Sequence, residues 1–319
     1  MAASDSAASD SAASDPAASD AATTATEAPS DQSDPLPSAR ELAQRLQRHT
    51  GWFVLTGAGC STESGIPAYR DETGVWRHKK PIQLGEFLRS ERVRQRYWAR
   101  SFHGFQRVQR ALPNSAHHAL ARLEELGRVQ LLVTQNVDRL HQKAGSRNVI
   151  DLHGQLAWVV CLGCGEQFER SQMQQWLGEQ NPELSAGLLE QPAPGGFAPD
   201  GDAELAADTL GVRIPGCPRC GGVLKPAVVF FGETVPPEKV QASYAALEQA
   251  QALLVVGSSL AVFSGYRFVR RAADRGKPIV VLNSGTTRAD RFAELKLGGS
   301  CGALLAGALQ LLAQPGAAR

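Results

Sequence analysis

Bulky apolar residues recur in short unbroken runs: "WFVLTG", "VQLLVTQN", "ALLVVGSS" and "PIVVLN". Between them lie stretches with a helical period: "AHHALARLEEL", "EKVQASYAALEQA" and "YRFVRRAADRG". Runs without polar alternation predict strands buried on both faces, and helical crossovers between them predict a parallel sheet. The expected fold is therefore α/β, a doubly wound, Rossmann-like parallel sheet with right-handed crossovers. Its ligand should lie at the C-terminal ends of the strands. Upstream, "SARELAQRLQRHTG" predicts a helix, with Ser38 and Glu41 at capping-box spacing and Gly51 as the stop.

Two stretches break this rhythm. Residues 72–112 read as helical and are rich in Arg and aromatic residues, and residues 156–228 hold two Cys pairs around a polar, Gly/Pro-rich spacer. Both are expected in a small zinc-binding and helical lobe inserted into the sheet domain. The sheet domain would then comprise about 38–71, 113–155 and 229–319. Residues 1–37 repeat "AASD" and lack the bulky apolar side chains needed to offset ordering entropy, so a disordered acidic tail is expected.

Charge changes this picture little. The chain has 33 basic and 32 acidic side chains, but seven of the acids precede the first Arg, leaving the remainder at +8. That suits an anionic ligand. No basic run with interleaved aromatics accompanies it, so no direct nucleic-acid binding is expected. No run of about 18 apolar residues is present, so no membrane span is expected. The N-terminus lacks the apolar core of a secretory signal and the Arg of a transit peptide, which makes the cytoplasm the expected compartment. There, clustered cysteines point to metal sooner than to disulfides.

Cys161 and Cys164 form one C-x2-C pair, and Cys217 and Cys220 form another, each in a turn context. Four thiolates suit one tetrahedral Zn2+ and leave no position for water, hence a structural ion. The spacer is 52 residues long, against about 15–20 in a compact ribbon. The excess should loop out. Two unrelated pairs, or a redox C-x2-C, form the competing reading. Cys60 and Cys301 are not counted as ligands.

The stretch "GAGCSTESG" follows the first apolar run. Gly57 and Gly59 permit a tight turn and close backbone approach to a pyrophosphate, Ser61 and Ser64 offer hydroxyls, and a following helix N-terminus would favour an anion. Residue 62 is Thr where a hydride-transfer fingerprint has its third glycine, so a plain strand-to-helix turn stays open. Polar residues end three further runs: Gln135, Asn136 and Asp138, then Gly257, Ser258 and Ser259, then Asn283. Small and polar strand ends converge on one cleft in this architecture. His153 in "DLHG", at the junction with the cysteine-bearing lobe, is the candidate general base.

"GAGCSTESGIPAYR", "TQNVDRLHQKAG", "DLHG", the two Cys pairs, "KPAVVFFGE", "GSSLAV" and "LNSG" occur in the order seen in sirtuins, and the chain resembles that family from about residue 40 to 315. "RYWARSF", "APDGD", "VVFFGETV" and "SGYRF" resemble class II, the group holding the mitochondrial human member number four. The resemblance implies NAD consumed as a co-substrate. Acyl groups would be removed from protein lysine, with release of nicotinamide and O-acyl-ADP-ribose. Mono-ADP-ribosyl transfer to protein is the alternative.

It further implies that His153, Asn136 and Asp138 are catalytic, with His153 the base on a ribose hydroxyl. The cofactor set would be Gly57, Ala58, Gly59, Ser61, Ile66, Pro67, Tyr69, Arg70, Gln135, Asn136, Asp138, Gly257, Ser258, Ser259, Asn283, Ser284, Gly285 and Cys301. An acylated lysine would lie between Gly232–Glu233 and Ala261–Phe263, with Val262 at that edge and Val229 and Phe230 along the lysine tunnel. Tyr97 and Arg100, three apart on a helix, resemble a pair that holds acidic acyl groups; a core Tyr beside a solvated Arg is the bland reading.

Overall fold

Strand β1 (Trp52–Thr56) is buried along its whole length, and its side chains divide between two layers. Trp52 and Val54 face one hydrophobic cluster, Phe53 and Leu55 the other, as the period of two along a strand requires. This computed structural model describes residues 35–71, 73, 75, 81–187, 198–201 and 211–313. The expected acidic tail falls outside the described residues except for its last three positions.

Ahead of β1 runs helix α1 (Pro35–Arg48). It begins three residues before Ser38, so Ser38 is not its N-cap. Pro35 and Pro37 occupy the first turn, where a missing N–H costs nothing. Beyond β1 the chain forms α2 (Leu84–Arg89), α3 (Glu91–Arg110) and α4 (Ser115–Glu125), then β2 (Val129–Thr134), α5 (Leu140–Lys143) and β3 (Val149–Asp151). The lobe follows with β4 (Gly154–Cys161), β5 (Gln167–Glu169), α6 (Arg170–Gln180), α7 (Pro182–Gly187) and β6 (Leu224–Val228). The chain then returns through α8 (Pro237–Gln249), β7 (Ala252–Val256), α9 (Phe263–Asp274), β8 (Ile279–Leu282), β9 (Leu295–Leu297) and α10 (Cys301–Ala313).

Six strands form one parallel sheet in the order β3-β2-β1-β7-β8-β9. The order reverses between β1 and β7, where a doubly wound sheet opens its ligand crevice. Apolar side chains of α1, α4 and α10 cover one face, and those of α8 and α9 the other. Each fully buried Leu, Val or Phe contributes about 1.5–3 kcal/mol, so the two layers hold the strand ends rigidly.

The second sheet, β5-β4-β6, is antiparallel. Its core is shared with the helices of residues 84–110: Phe87, Trp98 and Phe102 pack with Val159, Met173, Leu177 and Leu224 in one cluster. The two stretches that interrupt the sequence rhythm thus pack on one core. The spacer between the Cys pairs is partly built into β5, α6 and α7; residues 188–197 and 202–210 of it lie outside the described residues.

Candidate active site

The loops after β1 and β7 meet at the reversal point. Gly57 N donates to Val256 O at 3.1 Å, and Gly59 N to Gly257 O at 2.8 Å. A Cβ on Gly59 would lie 2.9 Å from Gly257 O, and Gly257 holds φ +61°, a left-handed conformation that favours glycine. The glycines therefore let two loops interlock. The segment Ala58–Ser64 is a 3-10 helix, not the start of an α-helix, which corrects the expected helix N-terminus. Thr62 explains part of this: its hydroxyl donates back to Gly59 O at 2.9 Å, turning the loop on itself.

A cavity of about 870 Å³ opens at this junction. Every cofactor, catalytic and substrate residue named from the sequence lines it, except Ser64, Pro67 and Arg100. Tyr97 is buried against Phe87, Trp98 and Phe230. Arg100, half-buried one helical turn on, lies outside the lining; three residues leave about 60° between side chains around a helix. The structure does not bring the pair together at the cavity.

On one side of the cavity stands a buried polar knot. Ser61 Oγ donates to Asp138 Oδ2 at 2.7 Å, while Asn136 Nδ2 donates to Ser61 Oγ and to Gly57 O, each at 3.0 Å. Leu140 N donates to Asp138 Oδ1 at 2.9 Å. Burial raises the Asp138 carboxyl above its ordinary range, against the pull of the Leu140 and Ser61 bonds. Gln135 Nε2 reaches Ser258 Oγ at 2.8 Å, joining the ends of β2 and β7.

His153 stands at the junction with the lobe. Its Nδ1 is 2.9 Å from Gln135 O and its Nε2 2.7 Å from Ser264 Oγ. A carbonyl only accepts, so the proton sits on Nδ1, and the Nε2 lone pair accepts from Ser264. Burial moves the imidazole down to about 4, with nearby Lys239 and Arg267 acting the same way. A neutral ring with a lone pair at Nε2 is the form a general base requires.

Val229 N donates to His153 O at 2.8 Å, tying the Phe230–Glu233 wall to the histidine. That wall is held from behind. Lys225, nearly buried, meets Glu233 at 3.0 Å and Val228 O at 2.6 Å, and Glu233 also accepts from Phe230 N at 2.8 Å. Across the cavity, Leu260 holds φ +57°, a strained conformation for a bulky residue of the kind found at functional loops. Ser264, Lys225, Pro199 and Asp200 were not singled out from the sequence. Ser264 sits in "VFSGY", and Lys225 is a charge inside an apolar run; both anomalies were visible.

The four cysteines meet at one end of the lobe. Cys161 closes β4, β6 pairs with it through Cys161 and Leu224, and the second pair precedes β6. The Sγ atoms all lie within 4.8 Å of one another; Cys161–Cys220 is 3.5 Å and Cys164–Cys217 is 3.7 Å. Four sulfurs at about 2.3 Å from a tetrahedral Zn2+ stand about 3.8 Å apart, so the set fits that ion. Backbone N–H groups of Cys164 and Gly163 help lower Cys161 to about 6, towards the thiolate that binds metal.

Fold and site together define a doubly wound nucleotide-binding protein with an inserted zinc-binding lobe and a buried, neutral histidine between the two. A profile of the Sir2 family matches residues 57–264, and the chain belongs to that family. It is 55% identical over 255 residues to an NAD-dependent protein deacetylase of Bordetella bronchiseptica, covering 80% of this chain and 91% of that one. It is 48% identical over 281 residues to the NAD-dependent protein lipoamidase sirtuin-4, mitochondrial, of Bos taurus, covering 87% of each. Among solved structures it resembles a Sir2–p53 peptide–NAD+ complex, at TM-score 0.66 and 28% identity over 85% of this chain and 96% of that one.

Proposed function

We propose that the chain removes acyl groups from protein lysine at the expense of NAD, releasing nicotinamide and O-acyl-ADP-ribose. The observation that carries this reading is His153, a neutral imidazole with its Nε2 lone pair presented on the cavity that the glycine loop and the Asn136–Asp138 knot also line. The relatives named for NAD-dependent deacetylation and lipoamide removal support it.

The cavity suits NAD by size and polar lining: the glycine loop 57–59 at its wall, hydroxyls at Ser258 and Ser259, and Asn283 at the far strand end. When bound, NAD supplies an ADP-ribosyl group with nicotinamide as its leaving group. The chain does the rest by positioning. Asn136, Asp138 and Ser61 hold the carboxamide end. Gly57–Gly59, Ser258 and Ser259 hold the phosphates, and Ser284, Gly285 and Cys301 border the adenosine. His153 accepts a ribose hydroxyl proton at Nε2, in the place where Ser264 now donates. The acyl-lysine enters between Gly232–Glu233 and Ala261–Phe263, pairing through its main chain, a mode that reads peptide sequence loosely. Zn2+ on the four cysteines holds the lobe and takes no part in the chemistry.

The same reading makes residues 38–319 one catalytic domain with a helical and zinc-bearing insertion. No helix among the described residues is long and apolar enough to cross a membrane. A cytoplasmic setting belongs to the proposal, since reduced thiols keep the zinc set intact.

The test is an acyl-lysine peptide panel with NAD, read by mass spectrometry. O-acyl-ADP-ribose in step with free lysine supports deacylation. ADP-ribose attached to protein, with the acyl peptides untouched, would establish the transferase instead.

A further inference from the structure

Behind the glycine loop lies a second cluster of metal-ligating side chains, apart from the four cysteines. Cys60 comes from the 3-10 helix, His117 from α4 and His141 from α5. They are 1%, 0% and 1% exposed, and one ligand-type atom of each lies within 4.8 Å of the others. The imidazole centroids are 4.7 Å apart.

The hydrogen bonds around them prepare ligands. His141 Nε2 lies 2.9 Å from Thr56 Oγ1, which itself donates to Thr134 Oγ1 at 2.8 Å. Thr56 has spent its proton, so it accepts from His141 Nε2–H. That leaves a lone pair on His141 Nδ1, and this fully buried atom has no partner. His117 Nδ1 sits 2.9 Å from Asn114 Oδ1 and accepts from Asn114 N at 3.2 Å, while its Nε2 approaches Ser61 Oγ at 3.5 Å. His141 thus has Nε2 anchored and Nδ1 free, whereas His117 must carry its proton on Nδ1, towards Asn114 Oδ1, before its Nε2 can meet a metal. Metal-binding histidines are held in this way, through a hydrogen bond at the opposite nitrogen.

Burial keeps both rings neutral, as ligands must be: His117 moves down to about 4 and His141 well below the ordinary value. Burial also holds the Cys60 thiol well up, reinforced by Cys301, Asp138 and Glu63. Those last groups are anionic or can become so, and no cationic group is among the causes.

We propose that Cys60, His117 and His141 form a second metal site, which takes one Zn2+ on a thiolate and two neutral imidazoles. Binding forms one Zn–S and two Zn–N bonds and releases one proton, from the Cys60 thiol. The site gains one net positive charge, next to Asp138 and Glu63. One soft sulfur with two imidazole nitrogens suits Zn2+ over Mg2+ or Ca2+, which take oxygen. The ion would sit directly behind Ser61, whose hydroxyl bonds Asp138.

The test uses whole protein with the four-cysteine site already filled by zinc. Further Zn2+ is titrated in against a chromophoric chelator. The wild-type protein should take up a second equivalent, and Cys60→Ala should lose it by more than the 10- to 100-fold that follows loss of an outer-shell partner. A wild-type protein that stops at one equivalent overturns the site, as does a folded Cys60→Ala that still binds two. Should Cys60→Ala fail to fold, Co2+ added to the zinc-filled wild-type protein decides. A thiolate-to-cobalt absorption band with zinc retained supports the site, and its absence overturns it.

Discussion

Ser264 Oγ lies 2.7 Å from His153 Nε2, so the nitrogen expected to take a ribose proton is covered by a neutral donor. The lone pair belongs to His153, and Ser264 only solvates it. His153→Ala should bind NAD normally yet lose about 10²- to 10⁴-fold in deacylation rate. Ser264→Ala should lose no more than about tenfold, because one neutral hydrogen bond is worth about 1 kcal/mol. Single-turnover rates and NAD calorimetry check both. Near-normal turnover in His153→Ala would remove it from the mechanism.

The pH profile should carry the mark of a depressed imidazole. His153 acts as base only when neutral, and burial brings it down to about 4 in the free protein. The acid limb of kcat/KM assigned to it should therefore lie below the ordinary histidine value of about 6.5. Because its folded value is below its unfolded one, its contribution to stability is complete above about 6.5 and is lost as pH falls through about 4. A His153-dependent limb at or above 6.5 would contradict the burial argument.

Zinc at the four cysteines should be structural. Purified protein should retain one tightly held ion there, and Cys161→Ala with Cys217→Ala should lose it. The lobe should then melt early, because Phe87, Trp98 and Phe102 share its core. The matching observation is protease cleavage appearing first within residues 154–228. Full zinc retention in the double variant would reject the assignment.

Gly59→Ala should weaken both fold and nucleotide binding. Its Cβ would meet Gly257 O, Cα and C at 2.9, 3.0 and 3.1 Å, all backbone, and such overpacking costs about 1–3 kcal/mol. Gly298→Ala is the control, since its Cβ meets only Ser284 Cα at 3.9 Å. Thermal melts with and without NAD should separate the two variants.

Acyl choice follows from the cavity wall. Phe230 packs on Phe87 and Tyr97 at ring distances of 5.1 and 5.4 Å, and Ile82 and Val228 line the same side. Each buried methylene adds about 0.8 kcal/mol, or about fourfold. Longer apolar acyl groups should outrun acetyl and succinyl in kcat/KM, and Arg100→Met should leave those ratios within about twofold, because Arg100 is not among the residues lining the cavity. Best turnover on carboxylate-ended groups, abolished in Arg100→Met, would place that arginine at the acyl end after all.

What the sequence reveals here follows physical locality. Unbroken apolar runs identify β1, β2, β7 and β8 because these strands are buried on both faces. The paired C-x2-C spacing identifies the four-sulfur cluster because each knuckle is a local turn. Strands β3 and β9, of three residues each, are too short to leave a pattern. The 3-10 winding of Ala58–Ser64 depends on the Thr62 hydroxyl and the facing Gly257, and the second of these is remote in sequence. Ser264 and His153 are 111 positions apart, and the Cys60, His117 and His141 cluster exists only once three separate elements pack. The Tyr97–Arg100 pair shows the converse: i,i+3 spacing promises a shared face, yet Tyr97 lines the cavity and Arg100 does not.

The pairing of β1 with β7 has a consequence for how the protein is made. Residues 52–56 pair early with residues 129–134 but wait for residues 252–256 on their other edge, so a growing chain carries a central strand open on one side through much of its synthesis. Helix α10 closes on α1 last of all, with Gly307 set against Ala39. Contacts this distant slow folding, and a chain cut short before β7 keeps a long apolar edge open to other chains. The sheet, and with it both sides of the nucleotide crevice, is completed only when the C-terminal third has emerged. A truncated copy would be sticky and inert, with no capacity to bind NAD and withhold it from the intact enzyme.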